Sequence, residues 1–587
     1  MRRYISIKAL LLLSIFIVGF LSILMPIGDP DFFWHIATGR WIFQNKTLPS
    51  EDPFSFTTPK VLELRDQAIL KGYWLSQVLY YVIYLIGGWN GIIFLRILVV
   101  FLLIFFLIKR REAELNIHLL VVFLSIFVVL NHYFLDRPQV FSFLFFAVLL
   151  YLIDTIRKAR ASTIHYISMP LLMTLWANMH GAYILGQFVI FIYLVSENIK
   201  PEPLRSKELR LFSFISIISI ATSFINPLLY KTLPATFQFM KTSYFTENII
   251  EYSSTIIGFF KLNLYALLFY WLIAFLTLSA LLYRIIHKDI DLADIVITGI
   301  LLYFSFTQIR YVAFFIIWSV PLVSNFLNSL LKEGSLKRFI TGFSTLSILF
   351  LELYTSGRLV KNLSSFYDGN WISLQYPAEM ARFIKVEGLK GNMYNSYDWG
   401  GYLIWELGPE RKVFIDGRGL HSRIFATWLV LAQAVDEPRI EGIPYWRAIL
   451  DTYRINLVLL PIAQRTGIPD PLVTKLLYER DWIPVFLLGN SVLFVKDVPE
   501  NRPVIYRYSI PKETLIDDMI ANIDWQIQRG DSFNLYISKG DLYLLKNDLS
   551  SAEQAFRKVL EHAPFNTIAK ERLRLIKSIK DSKKEVH

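Results

Sequence analysis

The chain has 587 residues, of which 54% are hydrophobic, 16% aromatic and 18% charged, with a mean hydropathy of +0.43. An average soluble chain carries roughly 25% charge, so a simple soluble globule is excluded, and 47 Phe, 31 Tyr and 14 Trp exclude a disordered chain. With no Cys there are no disulfides, thiolate metal sites or cysteine nucleophiles, and the net charge of +12 has to be read by its placement.

Met1-Arg2-Arg3 precedes an apolar run from about Ala9 to Ile27, long enough to cross a bilayer core. No small-residue cleavage site follows it, which predicts an uncleaved signal anchor rather than a removed leader. Further apolar runs start near Asn90, Ile117, Gln139, Ile164, Ala182, Leu211, Leu262, Leu292, Tyr311 and Arg338. They predict a polytopic α-helical membrane protein with about eleven transmembrane helices. Arg2 and Arg3, Lys109 to Arg111, Arg157 to Arg160, Arg205 to Arg210, Arg284 with Lys288, and Lys337-Arg338 fall in alternate loops. The positive-inside rule makes those loops cytoplasmic, so much of the surplus charge is topological and nucleic acid is not an expected partner. The N-terminus is then cytoplasmic, and everything after about Ser356 lies outside the cytoplasm.

Two non-cytoplasmic loops are long, residues 28–73 and about 226–261, and long loops are often functional. The stretch Leu70 to Ile86 reads as an amphipathic helix lying in the interface, with Tyr73 and Trp74 at headgroup depth. Were it a span in its own right, the orientation downstream would invert.

The membrane domain is expected over residues 1–355. An outer α/β domain follows over 376–500, with a helix at Ala378 to Val386, an extended Gly391 to Tyr397, a short helix at Gly401 to Leu407, and strands at Lys412 to Ile415, Leu457 to Leu460 and Ser491 to Val495. Asp398 and Asp416 then end strands before glycines, where α/β sheets bind ligands, although glycine turns with Asx hydrogen bonds explain them as well. Over 510–587, Gly540, Tyr543, Leu549, Ala552, Phe556 and Pro564 match the second half of a tetratricopeptide unit, which places a small residue where two helices touch. Such a segment suits a protein partner.

The string Asp29-Pro30-Asp31-Phe32-Phe33-Trp34-His35 follows the first span. Two carboxylates two residues apart at a membrane surface can hold a divalent cation or act as a general base. The structural alternative is a Pro-containing turn with Asp31 as helix N-cap. Arg137, His180 (in Trp176-Ala177-Asn178-Met179-His180-Gly181) and Arg310 fall at outer helix ends, where they suit a lipid phosphate; snorkelling, or a local Asp136–Arg137 pair, is the alternative. Glu251 in the second long loop suits an acceptor or plain solvation.

An acidic-x-acidic motif followed by an aromatic run ending in His, in the first outer loop of a polytopic chain, resembles the GT-C superfamily of integral-membrane glycosyltransferases. The longer string DPDFFWHIATGRWI…LPSEDPFSFT looks like a bacterial branch of it. The resemblance covers the membrane region and implies a polyprenyl-phosphate-linked sugar donor and a cell-envelope acceptor in the bacterial cytoplasmic membrane. It implies Asp31 as base and Asp29 as its acidic partner, the pair holding Mg or Mn in metal-dependent members. The substrate-side set is Arg310, Arg137, His180, His35, Glu251 and Asn178. The chemistry needs a carboxylate to take the acceptor's proton and cations to stabilise the leaving phosphate, and direct attack inverts the anomeric centre. The rivals are a polysaccharide polymerase or ligase, whose key residues sit in a late outer loop, and a transporter or scaffold, which would carry inverted repeats and charges within its spans.

Overall fold

The computed structural model describes residues 7–132, 136–200, 206–241, 250–262, 266–289, 291–331, 371–373, 375–464, 466–529 and 533–585. The apolar run expected at Arg338 lies outside them. The chain forms two compact units, Met1–Ser50 with Leu62–Ser373 and Glu51–Val61 with Leu374–His587, so a short piece of the first long loop is part of the second unit.

The first unit is helical. Its helices are α1 (Ile7–Ile23), α2 (Pro30–Asn45), α3 (Leu64–Lys71), α4 (Trp74–Lys109), α5 (Leu115–His132), α6 (Gln139–Arg157), α7 (Thr163–Met179), α8 (Tyr183–Ile199), α9 (Ser206–Thr222), α10 (Thr232–Lys241), α11 (Thr255–Leu262), α12 (Leu267–Ile286), α13 (Leu292–Thr307) and α14 (Val312–Leu330). Among the described residues, four helical stretches are long and apolar enough to cross a membrane: Leu64–Lys109, Gln139–Arg157, Leu267–Ile286 and Ile309–Leu330. Exposed Phe94, Phe191, Phe214, Phe275 and Leu282 give the helices an apolar outer surface, as a bilayer environment requires. The stretch expected to lie in the interface runs from the end of α3 through Gly72 and Tyr73 into the first part of α4, which breaks at Gly88 (φ 57°, ψ −147°) before the apolar remainder of the helix.

Helix ends pair in a way that separates two kinds of chemistry. At one end of the bundle, Arg110 bonds Asp154 at 2.8 Å, Arg157 bonds Glu197 at 2.6 Å and also Asp291, and Arg284 bonds Asp294 at 2.5 Å. These are the arginines that the sequence marks as cytoplasmic. Arg157 closes α6, whereas Arg137 sits just before its start. The 19 residues of α6 separate them by about 28 Å.

Helix α2 crosses the start of α4 closely. A Cβ on Gly39 would lie 1.9 Å from the backbone oxygen of Gln77, so no larger residue fits there. The segment just before α2 is held by its own backbone: Ile27 N–H donates to Trp371 O at 2.6 Å and Ser373 N–H donates to Ile27 O at 3.1 Å. The Trp371 indole donates to Asn90 at 2.5 Å.

The second unit carries a four-stranded sheet of β1 (Asn392–Asn395), β2 (Ile455–Pro461), β3 (Trp482–Leu488) and β4 (Ser491–Lys496), in the order β1-β2-β4-β3. β1 runs parallel to β2; β4 is antiparallel to both β2 and β3. Lys412 to Ile415 is not a strand as the sequence predicts. It makes a single bridge, Ser55 to Val413, because its neighbour is the short loop segment and not a sheet edge. Asp398 likewise ends no strand; it lies in the first turn of the helix Tyr397–Leu407. Asp416 instead joins a buried cluster in which the Arg418 guanidinium bonds both Asp416 (2.7 and 2.6 Å) and Asp52 (2.7 and 3.2 Å) and also Ser55 (3.0 Å). Helices Lys512–Gln528, Leu535–Leu545, Leu549–His562 and Thr567–Glu585 complete the unit. Gly540 faces the Phe556 ring so closely that a Cβ would come within 2.6 Å of it.

Candidate active site

The site starts with a turn. Pro30 opens α2 with its φ already set, and Asp29 is the N-cap: its side chain accepts the Asp31 N–H at 2.9 Å. The cap is therefore Asp29 and not Asp31. This leaves Asp31 in the first turn of the helix, one-fifth exposed (21%), while Asp29 is fully buried (0%).

Arg137 gathers the acids. Its Nε bonds the second oxygen of Asp29, and its Nη1 lies 3.4 Å from Asp31 Oδ2 and 2.6 Å from Glu251 Oε1. The local pair with Asp136 that the sequence allows does not form, because Asp136 turns to the buried Arg96, which also bonds Met25 O at 2.7 Å. Burial pushes the Asp29 carboxyl up to about 7, with Arg137 acting against it. Burial alone would lower the Arg137 guanidinium, but Asp29, Glu251 and Asp31 hold it well above its ordinary value, so it stays a cation.

A second layer is aromatic and cationic. Glu251 belongs to the turn Ile250–Tyr252, which is tied to the turn Ile309–Tyr311 by Ile309 N–H donating to Ser253 O at 3.0 Å. The Arg310 guanidinium lies 4.8 Å from the Tyr252 ring centre and 5.7 Å from that of Tyr311. Among the described residues, no carboxylate comes within ion-pair distance of Arg310. The backbone oxygen of Arg310 accepts from Gln139 at 3.5 Å. Tyr73 packs 5.4 Å from the rings of both His35 and His180. Burial lifts the Tyr252 phenol to about 12, with Arg310 opposing, so it stays a neutral donor.

His180 differs from the charged phosphate partner that the sequence suggests. Burial, then Arg310 and Arg137, lower its imidazole to about 3, so it is neutral. Ala182 N–H donates to Nδ1 at 3.2 Å, and Ser142, whose oxygen accepts from the Trp176 indole at 2.7 Å, reaches the same nitrogen at 2.7 Å. With Nδ1 accepting a backbone N–H, the proton is on Nε2, which makes His180 an oriented hydrogen-bond donor.

The remaining candidates sit further out. His35 is buried in α2 with Nδ1 3.2 Å from the Gln77 amide, behind Tyr73. Asn178 accepts from the Trp74 indole at 2.8 Å and donates to Thr174 O (2.9 Å) and Ile225 O (2.7 Å). Its amide ties helices together beside a groove of about 470 Å³ that Ile42, Lys46, Trp74 and Leu229 also line. The expectation that Asp29 and Asp31 hold a metal does not fit their surroundings. One oxygen of Asp29 caps a helix, and the remaining acid oxygens that face the centre of the cluster are directed at Arg137. Sequence reasoning missed Tyr73 as a site residue and left Tyr311 and Ser142 out. The only signal for Tyr311 was its adjacency to Arg310.

Comparison with known proteins follows the fold. No protein-family profile and no curated protein sequence matches the chain. The crystal structure of the oligosaccharyltransferase from Archaeoglobus fulgidus, a complex with zinc and sulfate, is similar with a TM-score of 0.51 at 11% identity, over 96% of this chain and 86% of that one. The chain shares its fold with that oligosaccharyltransferase. ArnT from Cupriavidus metallidurans, in the apo state and bound to undecaprenyl phosphate, also matches, at 12% identity and a TM-score of 0.45, over 83% of this chain and 97% of that one.

Proposed function

We propose that the chain is a membrane glycosyltransferase that moves a sugar from a polyprenyl-phosphate-linked donor to a hydroxyl of a cell-envelope glycan, lipid or protein. Asp31 is the base: it is the more exposed acid of the pair and is fixed by the cap that Asp29 supplies. The acceptor oxygen attacks the anomeric carbon as its proton passes to Asp31. The bond from that carbon to the phosphate oxygen breaks, and the carbon inverts. Negative charge collects on the leaving phosphate, where Arg310 supplies a fixed cation and His180 Nε2–H and the Tyr73 hydroxyl supply donors. Glu251 and Arg137 hold the two outer turns against α2.

The observation that carries this reading is the convergence of Asp31, Arg137, Glu251 and the Arg310 turn at one bundle end, about 28 Å from the arginine-rich end. By the positive-inside rule the arginine-rich end is cytoplasmic, which puts the acids on the outer face of the bacterial cytoplasmic membrane. The second unit then follows on the outer side, and its last helices act as a tetratricopeptide-like surface for a protein partner.

The test is transfer by reconstituted protein supplied with labelled lipid-linked sugars. Asp31→Asn is expected to lose about 10²–10⁴-fold in rate, the usual worth of a general base. Transfer by Asp31→Asn at the wild-type rate would remove the assignment.

A further inference from the structure

Three acids from three parts of the chain meet at one cation. Asp29 comes from the α1–α2 turn, Asp31 from the first turn of α2 and Glu251 from the second long loop, and each directs an oxygen at the Arg137 guanidinium. With the guanidinium between them, the three acids form no group placed to hold a metal ion, since a divalent ion takes oxygen ligands at about 2.0–2.6 Å. Here the distances are those of N–H donors, 2.6 Å to Glu251 and 3.4 Å to Asp31.

We propose that Arg137 is the resident cation of the acidic centre and stands in the place of a divalent metal, so that the reaction of this site is metal-independent. The inference rests on the glycosyltransferase reading for its chemistry, but its geometry does not depend on that reading. Arg137 has a fixed address. It lies one residue before the cap of α6, and its neighbour Asp136 is anchored to the buried Arg96, so the guanidinium cannot swing away without uncovering the fully buried Asp29. A divalent ion entering the cluster would have to displace the guanidinium from all three of the acids it now meets, at the cost of moving that charge within a poorly solvated site. An ammonium cannot replace the arginine fully, because the Nε and Nη1 donors serve different acids in the planar geometry of the fork. Arg137 is accordingly a positioning residue. It holds Asp31 and ties the Glu251 turn to the mouth of α2, and it acts on the reaction through Asp31.

The consequence is specific: removing the guanidinium turns the three acids into a cation site. Mn²⁺ binding to full-length protein in nanodiscs, followed by electron paramagnetic resonance, reads this without any substrate. Wild-type protein should show no saturable site in the micromolar range. Arg137→Ala should gain one Mn²⁺ per chain with affinity raised at least about tenfold, lost again in Arg137→Ala/Glu251→Gln. Arg137→Lys should gain no Mn²⁺ site, because its ammonium still supplies a cation to the centre, although it reaches fewer of the acids than the guanidinium does. Transfer by the wild type should survive EDTA, whereas Arg137→Ala should recover part of its lost rate with Mn²⁺. A saturable Mn²⁺ site in the wild type that Asp29→Asn abolishes would overturn the proposal. So would a folded, monodisperse Arg137→Ala that binds no Mn²⁺. If no lipid-linked sugar is transferred under any condition, the glycosyltransferase reading fails, while the Mn²⁺ measurements still decide this one.

Discussion

Replacing Arg418 by Met should destabilise the second unit severely and reverse the sign of its pH dependence. The Arg418 side chain is fully buried (0% exposed), and the carboxylates of Asp52 and Asp416 beside it are 1% and 3% exposed. Five hydrogen bonds join the guanidinium to Asp416, Asp52 and Ser55. Met fills much of the volume but leaves two buried acids without a cation, and breaking a buried pair in this way costs about 3–5 kcal/mol. For a unit of this size each kcal/mol moves the melting point by about 2–4 °C, so a drop of about 10 °C is expected. The pH dependence follows from Asp52. Burial raises its carboxyl, but Arg418, the Phe54 N–H and Thr58 outweigh burial and hold it below the ordinary 3.8. In the wild type this contribution is present above the unfolded value and is lost as pH falls through the lower folded one. Without Arg418 only the Phe54 N–H and Thr58 oppose burial and the carboxyl rises, so the folded form holds a proton that the unfolded form has released. Stability then falls as pH rises from about 4 towards neutrality. Calorimetry of the full chain in nanodiscs between pH 4.5 and 8 measures both effects, and hydrogen exchange over residues 51–61 and 413–420 identifies the melting unit. Arg418→Lys should fall between the two. A melting point within a degree or two of wild type, with an unchanged pH slope, would refute the reasoning.

Three other outcomes are expected. Arg310→Ala should lower transfer about 10²–10³-fold, as loss of one oriented stabiliser of developing charge does, and Arg310→Lys should restore part of it; a radiometric transfer assay decides, and equal rates for all three would exclude Arg310 from the phosphate side. His180 should show a bare Nδ1 and a protonated Nε2 by ¹⁵N NMR from pH 5 to 8, since its imidazole is lowered to about 3. Because its unfolded value is higher, it contributes stability above about 6.5 that is lost as pH falls towards 3; an imidazolium at pH 6 would contradict this. Asp470, the buried cap of the helix Pro471–Leu476, is pushed up to about 7 by burial against two backbone N–H bonds. It therefore loses the unit stability as pH rises from about 4 to 7, and Asp470→Asn should flatten the melting profile over that range and raise the melting point at pH 8.

The turn at Asp29-Pro30-Asp31 was readable because proline sets the first helical φ and an acid suits the cap; which acid caps was not, since both have the right chemistry and only backbone geometry chooses Asp29. Arg137 looked like a partner of its neighbour Asp136, and Arg96 took that acid instead, from a helix 40 residues away in sequence. The hairpin β3–β4 was half seen. Ser491 to Val495 stood out, but Pro484 disguised Trp482–Leu488, which tolerates it at a register shift. The stretch Lys412 to Ile415 has the composition of a strand, but its neighbour is the short loop segment at Ser55, with which it makes a single bridge instead of a ladder.

Apolar run length, the alternation of basic loops and the acidic-aromatic string are local properties, and from them the residues alone determined a helical membrane chain with its acids grouped after the first run. Tertiary structure alone decided that Arg137 sits among three carboxylates, that His180 is neutral with its proton on Nε2, and that a piece of the first long loop is locked to Arg418 in the second unit. Each of those facts depends on a charge finding a partner far along the chain, where burial multiplies electrostatic preferences that short-range patterning does not encode.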